Sequence, residues 1–176
     1  ATCKKHDMLG KGYSQRNWAL LANYADKSLM RNNVGMELSR MFGFKWAPRS
    51  RNVEVFLNGS YIGVYTLFED KSIGKNRINI KDDEFYLEIE QNMDEDYKFY
   101  SSKGVPIQVL NPEVPTDAQM QEAKSIVNGF EEALYGTNFK DPEKGYAAHI
   151  NVDSFIDHYI IQELSKNVDG NIIISD

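Results

Sequence analysis

Asp169 is the residue whose type and position most directly suggest chemistry. It stands in a polar loop between a segment with helical periodicity and the apolar run Asn171 to Ser175. A loop held by regular elements on both sides can present a carboxylate to a substrate as a general base. Asp169 is followed by Gly170, and Asp-Gly is also a common turn pair. Spacing alone therefore leaves both a catalytic and a purely structural role open.

A second group of residues is basic and flanks a predicted helix and a predicted hairpin. Guanidinium and ammonium groups donate hydrogen bonds to phosphate oxygens, so several of these side chains could converge on one phosphate. No glycine-rich loop of the Walker or dinucleotide-binding type accompanies them. The alternative is that each charge is simply solvated. The group comprises Arg31, Arg49, Arg51, Lys71, Lys75 and Arg77.

Other familiar catalytic and metal-binding patterns are missing from the sequence. The acidic residues Glu88, Glu90 and Asp94 to Asp96 offer oxygen ligands for calcium, but their spacing does not match an EF-hand loop, and a solvated acidic turn is the alternative. The three histidines are scattered, with none at the spacing of a zinc hydrolase. A single cysteine, Cys3, excludes an internal disulfide and a cluster of cysteine ligands. No metal ligand is therefore assigned with certainty.

Composition limits the class of protein further. The 176 residues suit one globular unit, and 41% hydrophobic with 26% charged residues is typical of a chain that folds. A net charge of -6 argues against a broad nucleic-acid surface, which depends on accumulated Lys and Arg. No apolar run approaches the ~18 residues of a membrane-spanning helix. We therefore expect neither nucleic acid nor a membrane span among the partners.

The elements that position these residues follow from periodicity and turn signals. Trp18 to Ala22 is predicted to be a buried strand. A helix capped by Asp26 or Ser28 should follow and end at Gly43, with Met30, Val34, Leu38, Met41 and Phe42 on one buried face. Asn52 to Leu57 and Tyr61 to Phe68 are predicted to pair as a hairpin, because both residues of Asn58-Gly59 tolerate positive φ.

The second half of the chain is predicted to hold two further strands and two helices. Phe85 to Glu90 and Ile107 to Leu110 have strand character, on either side of the acidic turn. Thr116 and Gln119 have capping-box spacing at the start of a helix that extends toward Gly136. A last helix spans about Asp153 to Lys166, with Phe155, Ile156, Tyr159, Ile160 and Leu164 favouring one face. This order of elements indicates an α+β fold.

Taken together, a series of ordered motifs resembles the CotH family of spore-coat-associated proteins, whose fold is related to atypical protein kinases. The resemblance extends over nearly the whole chain. Its motifs are Met8 to Gly10, Trp18 to Asn23, Asp26 to Asn32, Ala47 to Arg51, Val53 to Tyr65, Ile78 to Ile80, Asp153 to Tyr159 and Gln162 to Gly170.

The resemblance implies a two-lobed kinase-like architecture and transfer of phosphate from ATP, with a divalent metal such as Mg²⁺, to Ser or Thr of proteins such as spore coat proteins. Asp169 matches the catalytic aspartate of the family, and Asn167 and Gly170 match the loop that supports it. Arg31, Arg51 and Lys71 are the candidates for contacts with nucleotide or phosphate. An extracellular, cell-surface or spore-coat location is also implied.

Two further segments of the family pattern are not found within residues 1–176. One is an Arg-Gly-x-Gly-Asn segment expected before the Trp18 region, and the other is a metal-binding Trp-Asp-x-Asp segment expected after Asp169. We therefore expect residues 1–176 to form a single kinase-like domain that is incomplete at both ends and inactive by itself. The alternative is a noncatalytic extracellular or cell-surface interaction module that keeps the same fold.

Overall fold

The computed structural model describes residues 4–167, which form a mixed helical and sheet structure. Its elements fall into two compact units. The first unit extends to Asn79 and resumes at Ile156, and the second comprises Ile80–Phe155. In chain order the elements are β1 (Trp18–Ala22), α1 (Arg31–Met41), β2 (Ser50–Leu57), β3 (Ser60–Glu69), β4 (Tyr86–Ile89), β5 (Lys98–Tyr100), β6 (Pro106–Asn111), α2 (Asp117–Tyr135), a short 3₁₀ helix (Tyr146–Ala148) and α3 (Val152–Ser165). The predicted α+β class is confirmed.

The first unit contains an antiparallel sheet in the order β1-β3-β2. β1 is the predicted strand, but its predicted burial is wrong, because it lies at the edge of the sheet and Leu20 is 51% exposed. The turn between β2 and β3 is the predicted one, with φ of 51° at Asn58 and 83° at Gly59. Positive φ at both central residues gives the turn a twist that matches that of the paired strands. The central strand β3 supplies the buried residues Thr66, Leu67 and Glu69.

The face of α1 that meets the sheet is polar, so the predicted buried stripe is wrong. Met30 is 57% exposed and Val34 45%, while Leu38 is only half-buried. Asn33 instead donates to Asn52 Oδ1 on β2 at 2.8 Å and accepts from the Ser50 hydroxyl at 2.6 Å. Helical spacing identified the helix correctly, but hydrogen-bonding side chains decide which face lies on the sheet. The end at Gly43 is as predicted, with φ of 79°.

The second unit contains an antiparallel sheet in the order β4-β6-β5 and the long helix α2. Ile107 and Val109 of the central strand β6 are buried, as is Ala123 of α2. The capping box predicted at the start of α2 is present: Thr116 Oγ1 accepts from the Gln119 amide, and the Gln119 side chain accepts from the Thr116 amide. The short strand β5 was not predicted.

The apolar face predicted for α3 is also not buried. Phe155, Ile156, Tyr159 and Leu164 are each more than half exposed, and the buried residue of the helix is Ile161. An apolar repeat predicts a helix but does not determine which of its residues are covered, because that depends on tertiary partners. None of the helices within residues 4–167 combines the length and apolar character that crossing a membrane requires.

Candidate functional site

The start of α1 is organised by one carboxylate, that of Asp26. It accepts hydrogen bonds from the Ser28 hydroxyl at 2.6 Å and from the backbone amides of Met30 and Arg31 at 3.0 and 2.9 Å. The Ser28 hydroxyl and these amides stabilise the ionised form and lower the pKa of Asp26 to about 2. Asp26 is not the N-cap residue, because that position is held by Met30, whose side chain makes no capping hydrogen bond. The Asp26 carboxylate nevertheless reaches forward to the amide of the first helical residue, so the prediction is correct only in that Asp26 stabilises the start of the helix.

Arg31, a predicted phosphate-binding residue, is the first residue of α1. Its Nε lies 3.7 Å from Asp26 Oδ1, and its side chain is 80% exposed. Because the guanidinium remains largely in water and 3.7 Å is a long separation, the Asp26 carboxylate holds it only weakly. The side chain is therefore available to bind an anion.

Asn167, predicted to support the catalytic loop, lies two residues after the end of α3. Lys166 adopts a left-handed conformation with φ of 53°, and the Asn167 amide donates to the Gln162 carbonyl at 3.2 Å. This hydrogen bond closes the last helical turn in the manner of a Schellman motif. The predicted catalytic residue Asp169 and its neighbour Gly170 lie outside the described residues.

Arg31 and Asn167 line the same groove, which we call the α1–α3 groove, with a volume of about 400 Å³. Lys166 contributes a second cation, and cations and amide N–H groups suit the binding of phosphate oxygens. Gln162 contributes a buried side-chain oxygen without a hydrogen-bond partner among the described residues, and this oxygen can only accept from a donor group of a ligand. The groove is lined by Arg31, Asn32, Gly35, Met36, Ser39, Pro48, Ile161, Gln162, Ser165, Lys166 and Asn167.

The other two predicted phosphate-binding residues lie elsewhere in the first unit. Arg51 is exposed on β2, opposite Leu67 of β3. Lys71 is exposed just beyond the end of β3. Neither is among the residues that line the α1–α3 groove. The structure therefore brings Arg31 together with Asn167 but not with Arg51 or Lys71.

Three other basic residues of the sequence pattern line a second groove, which we call the basic groove. They are Arg49, Lys75 and Arg77. Its volume is about 290 Å³. The loop that follows α1 and the segment from Lys75 to Arg77 form much of its wall. It is lined by Tyr13, Arg40, Phe44, Lys45, Trp46, Ala47, Arg49, Lys75, Asn76 and Arg77.

Beside the basic groove lies a buried ion cluster that the sequence did not reveal. The Glu69 carboxylate is fully buried, accepts from Arg49 Nε at 2.7 Å and from the Arg49 amide at 3.0 Å, and also pairs with Arg77. Burial lowers the pKa of Arg77, while the neighbouring Glu69 raises it in part. No sequence signal marks Glu69, because it simply ends an apolar strand.

The described residues do not gather a set of metal ligands. Within residues 4–167, no three side chains of His, Cys, Asp or Glu are placed to hold one ion. The acidic segment after β4 is instead attached to the sheet, since the Glu95 amide donates to the Gln108 side chain at 2.5 Å. The divalent metal implied by the resemblance therefore has no ligand set in this part of the chain.

Comparison with known proteins agrees with the motifs. The family model described as CotH kinase protein matches residues 2–174. No curated protein matches the chain. No solved structure matches it either. Because the matched range covers almost all of the 176 residues, the chain belongs to the CotH kinase protein family.

Proposed function

We propose that this protein is a CotH-like kinase that transfers phosphate from ATP to Ser or Thr hydroxyls of a protein substrate, such as a spore coat protein. The observation that carries the proposal is the position of Asn167. It lines a groove together with the cations Arg31 and Lys166, and the segment Val168-Asp169-Gly170 follows it directly. The family match includes that segment.

In this proposal Asp169 accepts the proton of the attacking hydroxyl, as the catalytic aspartate of protein kinases does. Asn167 and Gly170 hold the loop in position. Arg31 neutralises phosphate charge, and its exposed guanidinium fits that role. ATP, when bound, supplies the phosphoryl group. Arg51 and Lys71 remain proposed phosphate contacts that would act outside the α1–α3 groove.

A two-lobed kinase-like architecture and a location outside the cell or on the spore coat form part of the proposed function. The division of the chain into two compact units supports a two-lobed kinase-like arrangement. Membership of a family associated with the spore coat supports an extracellular, cell-surface or spore-coat location. Mg²⁺ or another divalent metal would assist the transfer, with ligands other than a cluster within residues 4–167.

The test replaces Asp169 by Asn in the full-length protein. The neutral amide cannot accept the hydroxyl proton, so transfer of radiolabelled phosphate from ATP to the protein itself and to Ser- and Thr-containing peptides should fall by about 10²-fold or more. Circular dichroism should show an unchanged fold. The matched control is Asp153→Asn at the exposed first turn of α3, which should retain transfer. Near-normal transfer by Asp169→Asn would eliminate the catalytic role.

A noncatalytic interaction module is the second candidate, and exposed aromatic side chains favour it. Phe56 and Tyr61, on the two strands of the hairpin, are 62% and 53% exposed, with ring centroids 5.2 Å apart. Aromatic side chains are enriched in protein-binding surfaces relative to the rest of the protein surface. A folded full-length wild-type protein that neither binds ATP nor transfers phosphate would favour this reading over the kinase.

A further inference from the structure

The basic groove contains buried donors that have no acceptor. Arg77 is 3% exposed, yet its Nε and Nη2 make no hydrogen bond within the described part of the chain. Trp46 Nε1, on the same groove, is also buried and unpaired. Buried polar groups in proteins are almost always hydrogen-bonded, and leaving one unpaired is costly. These donors therefore point to an acceptor that the described chain does not supply.

The charge of the groove identifies the kind of acceptor. Five of the ten lining residues are cationic, and none is acidic. The carboxylates that act on these cations are Glu37 on Arg40, Glu69 on Arg49 and Arg77, and Asp70 on Arg77. The cations therefore outnumber the carboxylates, and Lys45 and Lys75 add two solvent-exposed ammonium groups. This arrangement favours a ligand with more than one negative charge.

The guanidinium groups are held in place before any ligand arrives. Arg49 lies over the Tyr13 ring, with Cζ 3.4 Å from the ring centroid, and donates to the Asn76 carbonyl at 2.9 Å. Arg40 donates to the Pro48 carbonyl at 2.5 Å. Fixed donors lose little conformational freedom on binding, which favours recognition of an oxyanion.

We propose that the basic groove binds a phosphate monoester dianion. Its several oxygens can accept from Arg77 and Trp46 together while its charge is shared with Lys45 and Lys75. The dianion could be free phosphate or a phosphorylated Ser or Thr side chain, which present the same chemistry to the groove. Binding in the basic groove requires neither Asp169 nor phosphoryl transfer, and the groove is separate from the α1–α3 groove.

The indole signals of the two tryptophans give a direct test. Trp18 Nε1 already donates to the carbonyls of His6 and Gln15, whereas Trp46 Nε1 is unpaired. In a ¹H–¹⁵N spectrum of the full chain, inorganic phosphate should shift the Trp46 indole signal most. The Trp18 signal should shift less, because its ring lies 5.1 Å from Arg77 Cζ, and the backbone amide signals of α2 in the second unit should stay unchanged. Ionic strength is held constant with chloride. No shift of the Trp46 signal, or an equal shift throughout α2, would overturn the proposal.

Charge variants test the same site by affinity. In Lys45→Gln/Lys75→Gln, phosphate affinity measured by the Trp46 signal should fall roughly tenfold, since charged hydrogen bonds contribute most to such sites. The matched control Lys27→Gln/Lys124→Gln removes two exposed lysines outside the groove and should bind as the wild type does. Unchanged affinity in the groove variant would refute the proposal.

The source of the dianion is distinguished by parallel titrations. If O-phosphoserine in a short peptide binds more tightly than inorganic phosphate, a modified side chain is the natural ligand. If inorganic phosphate binds as tightly as the phosphoserine peptide does, free phosphate is the natural ligand. The unphosphorylated peptide should not bind. Binding of that peptide with the same affinity would contradict phosphate recognition.

Discussion

At the scale of single residues, Glu131 shows how a buried charge can stabilise a loop. Its carboxylate accepts from the hydroxyls of Ser101 and Ser102 and from the Lys103 amide at 3.0 Å. Burial raises the pKa of Glu131, whereas the three hydrogen-bond donors lower it. The combined effect of the donors is larger than that of burial, so the pKa lies below the ordinary 4.5. The segment after β5 is thereby tied to α2.

We predict that Glu131→Gln lowers the free energy of unfolding by about 1–3 kcal/mol, because buried donors lose a charged acceptor. The folded pKa is depressed, so the contribution of the carboxylate is complete above pH 4.5 and is lost as the pH falls through the folded pKa. Urea denaturation at several pH values measures this.

The control for Glu131 is its neighbour. Glu132→Gln changes an exposed residue of the same helix and should alter stability by less than about 0.5 kcal/mol. The difference between wild type and Glu131→Gln should shrink below pH 4.5. A difference that stays constant down to strongly acid pH would argue against an ionised Glu131 in the folded state.

At the scale of elements, the hairpin turn depends on backbone conformation alone. Gly59 has φ of 83°, and a Cβ added there would have no neighbour within 4 Å. Gly59→Ala should therefore lower the free energy of unfolding by about 1–2 kcal/mol through left-handed strain. Thermal and urea unfolding measure the change.

A second glycine provides a control of opposite sign. Gly35 lies within α1, and an added Cβ likewise meets nothing within 4 Å. Gly35→Ala should stabilise the protein by about 0.5–1 kcal/mol, since alanine loses less backbone entropy in a helix. If both variants were destabilised alike, the explanation by backbone conformation would be wrong.

Elements defined by local signals were predictable from the sequence. The Asn58-Gly59 turn, the Thr116 and Gln119 capping box and the stop at Gly43 all depend on residues close together in the chain. The strand β5 has three residues, too few to show alternation. Local signals therefore located most elements and missed the shortest.

Buried faces and the candidate site were less predictable, because they depend on distant residues. Asn33 of α1 and Asn52 of β2 are 19 positions apart in the chain, and the hydrogen bond between their side chains joins α1 to the sheet through polar contacts. The sequence identified the basic residues as a group. It could not predict that Arg49, Lys75 and Arg77 line one groove while Arg51 and Lys71 lie outside it. Glu69 and Glu131 gave no signal, since a buried carboxylate is identified by its partners.

At the scale of the whole molecule, charge is distributed unevenly. The net charge is -6, yet five cations line the basic groove. A nucleic acid contacts many phosphates over a long surface, so the surrounding negative charge should oppose it even where one phosphate fits. The positive charge of the groove therefore favours a single small phosphate group, whereas the negative net charge of the chain disfavours a nucleic acid.

We predict that the full chain leaves the fluorescence anisotropy of a labelled DNA duplex unchanged at about 0.15 M salt. Inorganic phosphate should still shift the Trp46 signal under the same conditions. Duplex binding that weakens steeply with added salt would show instead that the basic groove belongs to a larger electropositive surface.

The buried cluster of Glu69, Arg49 and Arg77 also constrains how this sequence can diverge over generations. Replacing one member leaves a charge in the interior without its partner, which is strongly destabilising, whereas replacing the set together by apolar residues can be tolerated. Drift at these positions must therefore pass through compensatory substitutions. We therefore expect the three residues to change together, so that a lineage that has lost Glu69 has lost the arginine pairing as well.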